Sequence, residues 1–364
     1  MPRYKLHIAY DGTDFCGWQR QEPLAIVPKV DAGDQEPSAV PQATDEPKPN
    51  RAAYSPQTPL IESTRPGRVA LRTVQGVIEA AVWQVTRQRV EVLGSSRTDS
   101  GVHAKGQVAA FTCEPLLVEN PDGTFSLPDE ATLAATRGTG WPHERGVDRL
   151  AAAINSRLPD DVLISGAALV DPRFDPIGDV EAKGYSYVFH VGPARPLWER
   201  RVVHHIHNPR GMDAAAMNEA AKTLVGEHDF AAFAAAGHGR ATTVRTVLSC
   251  GVTRESEHRV RIDVSGTGFL WNMVRIIAGT LQQVGLGQRT AADVKAALES
   301  RDRIKAGPTV GPEGLCLEWI KYRPAPEFVV APRPLNVQTG EAPPATPIDQ
   351  PIDQPIVQPN GAGP

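Results

Sequence analysis

The sequence predicts an α+β fold of two mixed halves, with largely antiparallel sheets flanking a central cleft. Three observations carry that expectation. Several runs alternate apolar and polar residues at the period of a half-buried strand. A few segments place apolar residues at helical spacing. Two proline-rich acidic stretches, 22–66 and 324–364, interrupt the pattern without sharing it.

Taken in order, Leu6, Ile8 and Tyr10 alternate and predict a strand over 5–10. A helix is predicted over 73–86, where Val74, Val77, Ile78, Ala81 and Val85 fall on one face and Thr73 is the N-cap. Val90, Val92 and Leu93 form a short apolar run, and Val108 to Phe111 form another. Between them lies the Ser/Gly-rich connection GSSRTDSGVHAKGQ. Residues 114–146, with Asn120-Pro-Asp-Gly among several chain breakers, read as a long surface loop. A helix near 148–157 and a strand over 185–191 (Tyr185, Tyr187, Phe189) complete the first half.

The second half repeats the style. Asp213 caps a helix over 213–225, strands follow at 247–253 and 258–265, and the best-marked helix spans 272–286. Met273, Ile276, Ile277, Thr280, Leu281 and Val284 line one face of it. Thr290 and Asp293 read as a capping box for a helix to about 299, and a strand at 315–322 closes the half. The domain reading is therefore 1–21 with 67–190 as the N-terminal half and 191–323 as the C-terminal half. Residues 22–66 are an inserted disordered segment and 324–364 a disordered tail.

The chain has 364 residues, 41% hydrophobic and 22% charged, with a net charge of −4. Both proline-rich stretches carry −3, so the remainder is mildly basic at +2, which is compatible with an RNA substrate. No apolar run is long enough to span a membrane, and the start MPRYKLHIAY lacks a signal-peptide core, so a cytoplasmic protein is expected. Cys16, Cys113, Cys250 and Cys316 are scattered and read as four buried thiols, with neither a disulfide frame nor a zinc site. No Walker A, GxGxxG, HExxH or GxSxG pattern occurs, which weakens nucleotide, metalloprotease and serine-hydrolase readings.

The candidate chemistry centres on Asp99 and Arg97, two residues apart in a turn where small neighbours let a ligand approach the backbone. Asp99 reads equally as a turn cap or as a carboxylate, ionised at neutral pH and able to act as nucleophile or base. Arg275 sits near the apolar stripe of its helix and must either meet a carboxylate or snorkel outward. Tyr185 and Tyr187 share a strand face; Tyr187 is expected to pack inward with Phe189, while Tyr185 could stack on a base. His204, His205 and His207 have no acidic partner nearby in sequence and read as structural or surface residues. His228-Asp229-Phe230 reads as a helix-terminal packing motif.

These motifs, in this order, resemble the TruA-type tRNA pseudouridine synthases. The resemblance rests on YDGTDFCGWQRQ (10–21), TVQGVIEAA (73–81), SRTDSGVHAKGQVAAF (96–111), INSRLPDDV (154–162) and KGYSY (183–187). GEHDFAAF (226–233), TVRTV (243–247), GFLWNMVRIIAGTL (268–281) and GPEGLCLEW (311–319) extend it. The chain departs from the family pattern at Phe174-Asp-Pro-Ile, where FHAR is common. Ser96 and Ser100 also depart, replacing Gly and Ala beside the Arg-Thr-Asp triplet.

The resemblance implies isomerisation of uridine to pseudouridine at positions 38, 39 and 40 of the tRNA anticodon stem-loop. It implies Asp99 as the nucleophile, Arg275 as its partner, and Tyr185 as the ring that stacks on the uracil and a possible proton acceptor. Arg97 would hold the flipped-out base, with His103 and Gln107 as further substrate contacts. A homodimer without metal or organic cofactor is implied as well. Isomerisation needs no redox change or outside reactant, which agrees with the missing cofactor motifs. The carboxylate could attack uracil C6 or ribose C1′. Two rival readings stand beside this one, a non-catalytic RNA-binding relic of the fold and a carboxylate-dependent N-glycosidic hydrolase; the latter would need a second acid near Asp99.

Overall fold

Alternation becomes strand at the N-terminus. In β1 (Arg3–Tyr10) the residues Tyr4, Leu6, Ile8 and Tyr10 are buried while their neighbours are not. The computed structural model describes residues 1–23, 68–114, 139–142, 145–235 and 241–324, with isolated positions and short strands between and after them. The 22–66 and 324–364 stretches and the middle of the 114–146 loop lie almost wholly outside the described residues.

After β1 come α1 (Val74–Thr86), β2 (Leu93–Gly94), β3 (His103–Thr112), β4 (Val118–Glu119), β5 (Phe125–Ser126), α2 (Val147–Asn155), β6 (Val162–Val170) and β7 (Val180–Val191). Then follow β8 (His204–Ile206), α3 (Ala214–Lys222), β9 (Gly226–Asp229), β10 (Val244–Arg254) and β11 (Arg259–Gly266). The chain continues through α4 (Met273–Gly285), α5 (Ala291–Ser300), β12 (Leu315–Tyr322) and β13 (Val330–Ala331). The main sheet runs β6-β1-β3-β12-β7-β11-β10-β9, with β2 beside β3 and β8 beside β7. Its pairs are antiparallel except β12 with β3 and β8 with β7. The sheet is therefore continuous through both halves, and β12, from the far end of the chain, lies between β3 and β7. No helix among the described residues is long and apolar enough to cross a membrane.

Register decides which side chains meet. Leu317 of β12 stands opposite Ala104 on one side and Tyr185 on the other, and Tyr185 faces Val264 of β11. Cys316, one residue earlier, faces His103 and Ser186, so those three point to the opposite face. The Leu317–Tyr185 face joins the core, together with the buried stripe of α4 (Met273, Ile276, Ile277, Leu281, Val284). Each such side chain contributes about 1.5–3 kcal/mol on leaving water.

The predicted helix starts are present. Thr73 Oγ1 accepts from Gly76 N at 3.3 Å, Asp213 Oδ1 from Ala216 N at 2.9 Å, and Thr290 and Asp293 close their box. Thr73→Ala is expected to lower stability by about 1 kcal/mol, read by urea unfolding, because the buried Gly76 N–H loses its acceptor; unchanged stability would remove the cap from the account. Some expectations fail. Of Val90 to Leu93 only Leu93 enters a strand, the two-residue β2. The run VLISGAALV was not predicted as a strand but forms β6 at the sheet edge. Residues 226–229 form the edge strand β9 rather than a helix terminus. Cys113 and Cys250 are buried, but Cys16 and Cys316 are only half-buried, and all four are free thiols.

Candidate active site

The loop from Ser95 to Val102 is held from four sides by its neighbours. Gln107, 0% exposed on β3, accepts from Ser96 N at 3.2 Å and donates to Ser96 O at 2.6 Å. Tyr10 Oη meets Thr98 Oγ1 at 2.8 Å, and Trp18 N donates to Thr98 O at 3.0 Å. Ser100 Oγ and Gly101 N both donate to Phe15 O. The DGTDFCGW and SRTDSG segments thus lie backbone against backbone. At Gly17, with φ +92°, a Cβ would stand 2.8 Å from Thr98 O, so only glycine permits this approach. With the rest of the loop fastened, the side chains left projecting are those of Arg97 and Asp99. Arg97 is exposed and has no side-chain partner among the described residues.

Two segments far away in sequence converge on Asp99. Arg275 Nη1 lies 3.6 Å from Asp99 Oδ2, the carboxylate being 29% exposed and the guanidinium 16%. That distance is an ion pair and not a hydrogen bond. The fork of Arg275 is otherwise occupied: Nε donates to Val310 O at 2.8 Å and Nη1 to Asn272 Oδ1 at 2.9 Å. Arg275 therefore stands beside a carboxylate, but the guanidinium does not grip Asp99 with both arms. Trp271 supplies the hydrogen bond instead, donating from Nε1 to Asp99 Oδ1 at 3.1 Å. Between them Asn272 takes a left-handed conformation (φ 59°) at the start of α4.

Tyr185 reaches the same loop through a different member. Its Oη lies 2.7 Å from Ser96 Oγ, and the edge of Phe269 packs on its ring at 5.3 Å. Tyr185 is 9% exposed. Burial first, then the nearby Asp99 charge, push its phenol up to about 12, so it stays neutral at physiological pH. Tyr187 packs inward as expected, 4.8 Å from Phe189, with its hydroxyl donated to Gly311 O.

Gln107 is buried beneath the loop, and His103 points to the other face of the sheet. Gln107 is fully buried and its polar atoms are taken by the Ser96 backbone, so it builds the loop. Gln107→Leu is expected to leave Ser96 N and O unpaired in the interior, costing about 2–4 kcal/mol in chemical denaturation; wild-type stability would show the two bonds to be dispensable. His103 lies on the sheet face opposite Tyr185, with Nδ1 3.2 Å from Asp11 Oδ1 and 3.1 Å from Gly12 N. That imidazole, ahead of the Thr13 hydrogen bonds, holds the Asp11 carboxyl well below the usual carboxylate range. A recess of about 430 Å³ opens on this other face, lined by Asp11, His103, Lys105, Arg261 and Glu318 among others, away from Asp99. His204, expected to lack an acidic partner, meets Glu313 through Nδ1, while His205 and His207 bond the carbonyls of Gly192 and Pro193.

Trp271 and the Ser96–Gln107 link are the parts that sequence reasoning missed. Trp271 was visible four residues before Arg275, one helical turn away, but nothing in the pattern assigned its N–H. The chain can present one carboxylate beside a guanidinium and an indole donor, next to a neutral phenol ring, with an unpaired arginine alongside.

A family model described as tRNA pseudouridine synthase matches residues 220–323. The chain is 38% identical over 259 residues to tRNA pseudouridine synthase A of Shouchella clausii, covering 71% of this chain and 86% of that protein. It is 33% identical over 322 residues to tRNA pseudouridine synthase A 2 of Clostridium perfringens, covering 88% of this chain and all of that protein. The protein named tRNA pseudouridine synthase A in Brevibacillus brevis gives the same identity and coverage.

Proposed function

Since the chain belongs to the tRNA pseudouridine synthase A family, we propose that it isomerises uridine to pseudouridine at positions 38, 39 and 40 of the tRNA anticodon stem-loop, with Asp99 as nucleophile. The observation that carries this reading is the meeting of Asp99 with Arg275 and Trp271, 172 residues from the latter, on a loop fastened everywhere else. A binding relic has no use for a carboxylate fixed between a guanidinium and an indole donor.

The reaction breaks N1–C1′, turns the uracil and forms C5–C1′; the hydrogen at C5 leaves and N1 gains one. Asp99 supplies the electron pair for attack, with the Arg275 guanidinium beside it. The target must leave the helical stack, at a cost of a few kcal/mol. Stacking on Tyr185 offsets about 1–3 kcal/mol of that. Arg97, exposed and unpaired beside Asp99, helps to hold the flipped-out base. Because Tyr185 is neutral and its hydroxyl faces Ser96, its contribution is the ring and not proton removal. We read residues 1–21 and 67–190 as the half that carries the nucleophile and 191–323 as the half that supplies Arg275. Two copies of the chain would grip one tRNA.

Transfer RNA carrying tritium at uridine C5 tests the whole reading. The wild type is expected to release tritium without free uracil, and Asp99→Ala to release neither. No tritium release by the wild type would overturn the proposal, and free uracil would establish the hydrolase in its place.

A further inference from the structure

We propose that Trp271 is a positioning residue for the nucleophile: its indole N–H holds Asp99 Oδ1 and leaves Oδ2, on the Arg275 side, as the oxygen that attacks. This rests on Asp99 being the nucleophile. The two oxygens of Asp99 are not equivalent. Oδ1 accepts from Trp271 Nε1 at 3.1 Å, whereas Oδ2 accepts no hydrogen bond among the described residues and has Arg275 Nη1 at 3.6 Å. An unbonded oxygen beside a positive charge keeps its lone pairs free for attack.

The indole suits the holding task. It is a donor only, so it cannot reverse its bond to the carboxylate as a hydroxyl or amide could. Its own backbone is anchored, since Trp271 O accepts from Ala235 N at 3.1 Å. The left-handed turn at Asn272 then places residues 271 and 275 on either side of one carboxylate. Trp271 is 50% exposed, so the contact is not a by-product of core packing. A large apolar ring left half in water, with its one polar atom aimed at the reactive group, is placed for that group.

Trp271→Phe keeps the ring and removes only the donor. Its kcat is expected to fall about tenfold, with KM for tRNA within about twofold. A purely structural role would change stability or KM without this selective loss of kcat. A second readout needs no turnover: in protein labelled with ¹⁵N-tryptophan, the Trp271 indole resonance should be displaced in Asp99→Ala. Trp271→Phe identifies that resonance among the six tryptophans.

Unchanged kcat in Trp271→Phe, with Asp99→Ala inactive, would overturn this inference and leave the nucleophile standing. An active Asp99→Ala would instead remove the reading beneath it. If Trp271→Phe failed to fold, the indole resonance in Asp99→Ala would decide alone: a resonance that did not move would refute the hydrogen bond.

Discussion

Asp99→Ala is expected to lose pseudouridine formation by at least about four orders of magnitude, while binding tRNA within a few-fold of the wild type. The size follows from what is removed. Without the carboxylate no other acid lies in contact with Arg275 or Trp271 among the described residues, so no group can take over the attack. Affinity should survive because tRNA binding rests on phosphate contacts spread over the surface, and one partly exposed carboxylate adds none. Stability should change little as well. The loop around residue 99 is fastened through Ser96, Thr98, Ser100 and Gly101, and Arg275 keeps Val310 O and Asn272 Oδ1 when its ion pair is lost. Single-turnover assays with saturating enzyme would separate the two effects. Weak binding with a normal chemical step would contradict the nucleophile role.

That separation between a rigid frame and a few free side chains explains what the sequence revealed. Patterns set by neighbours along the chain were readable. The alternation of Leu6, Ile8 and Tyr10, the caps Thr73, Asp213 and Thr290, and the stripe of Met273 to Val284 all depend on spacings of two to four residues. Arg275 was legible for a related reason, since a charge on an apolar stripe demands a partner. What remained hidden depends on pairing across the sheet. Gln107 looks like any polar strand residue until β3 turns it inward beneath Ser96. His103, two strands from Ser186 through Cys316, looks like part of the Asp99 motif, yet the pleat turns it to the other face. His204 finds Glu313 109 residues away. The edge strand β6 escaped because its burial is irregular and Gly166 breaks its run, so neither strand nor helix period stands out. The site was thus legible as a list of reactive residues. Which of them project from the loop and which hold it emerged only with the register.

Arg275→Lys should be nearly as damaging as losing Asp99, with kcat down about 10²–10³-fold, although the positive charge is retained. The guanidinium does three jobs from one planar group: Nε bonds Val310 O, Nη1 bonds Asn272 Oδ1, and Nη1 also stands 3.6 Å from Asp99 Oδ2. A lysine ammonium is a compact point with a shorter reach and cannot span a backbone carbonyl, an amide and a carboxylate together. Whichever partner it chose, another would be left bare. Bonding Asp99 directly would engage Oδ2, the oxygen left free in the native arrangement, and would also release Asn272, whose left-handed backbone sets the start of α4. Choosing Val310 O would leave Asp99 without a counter-charge. Arg275→Gln, which keeps donors but no charge, should be impaired as well. Turnover of Arg275→Lys within a few-fold of the wild type would show that charge alone suffices, and the geometric role argued for the guanidinium would fall.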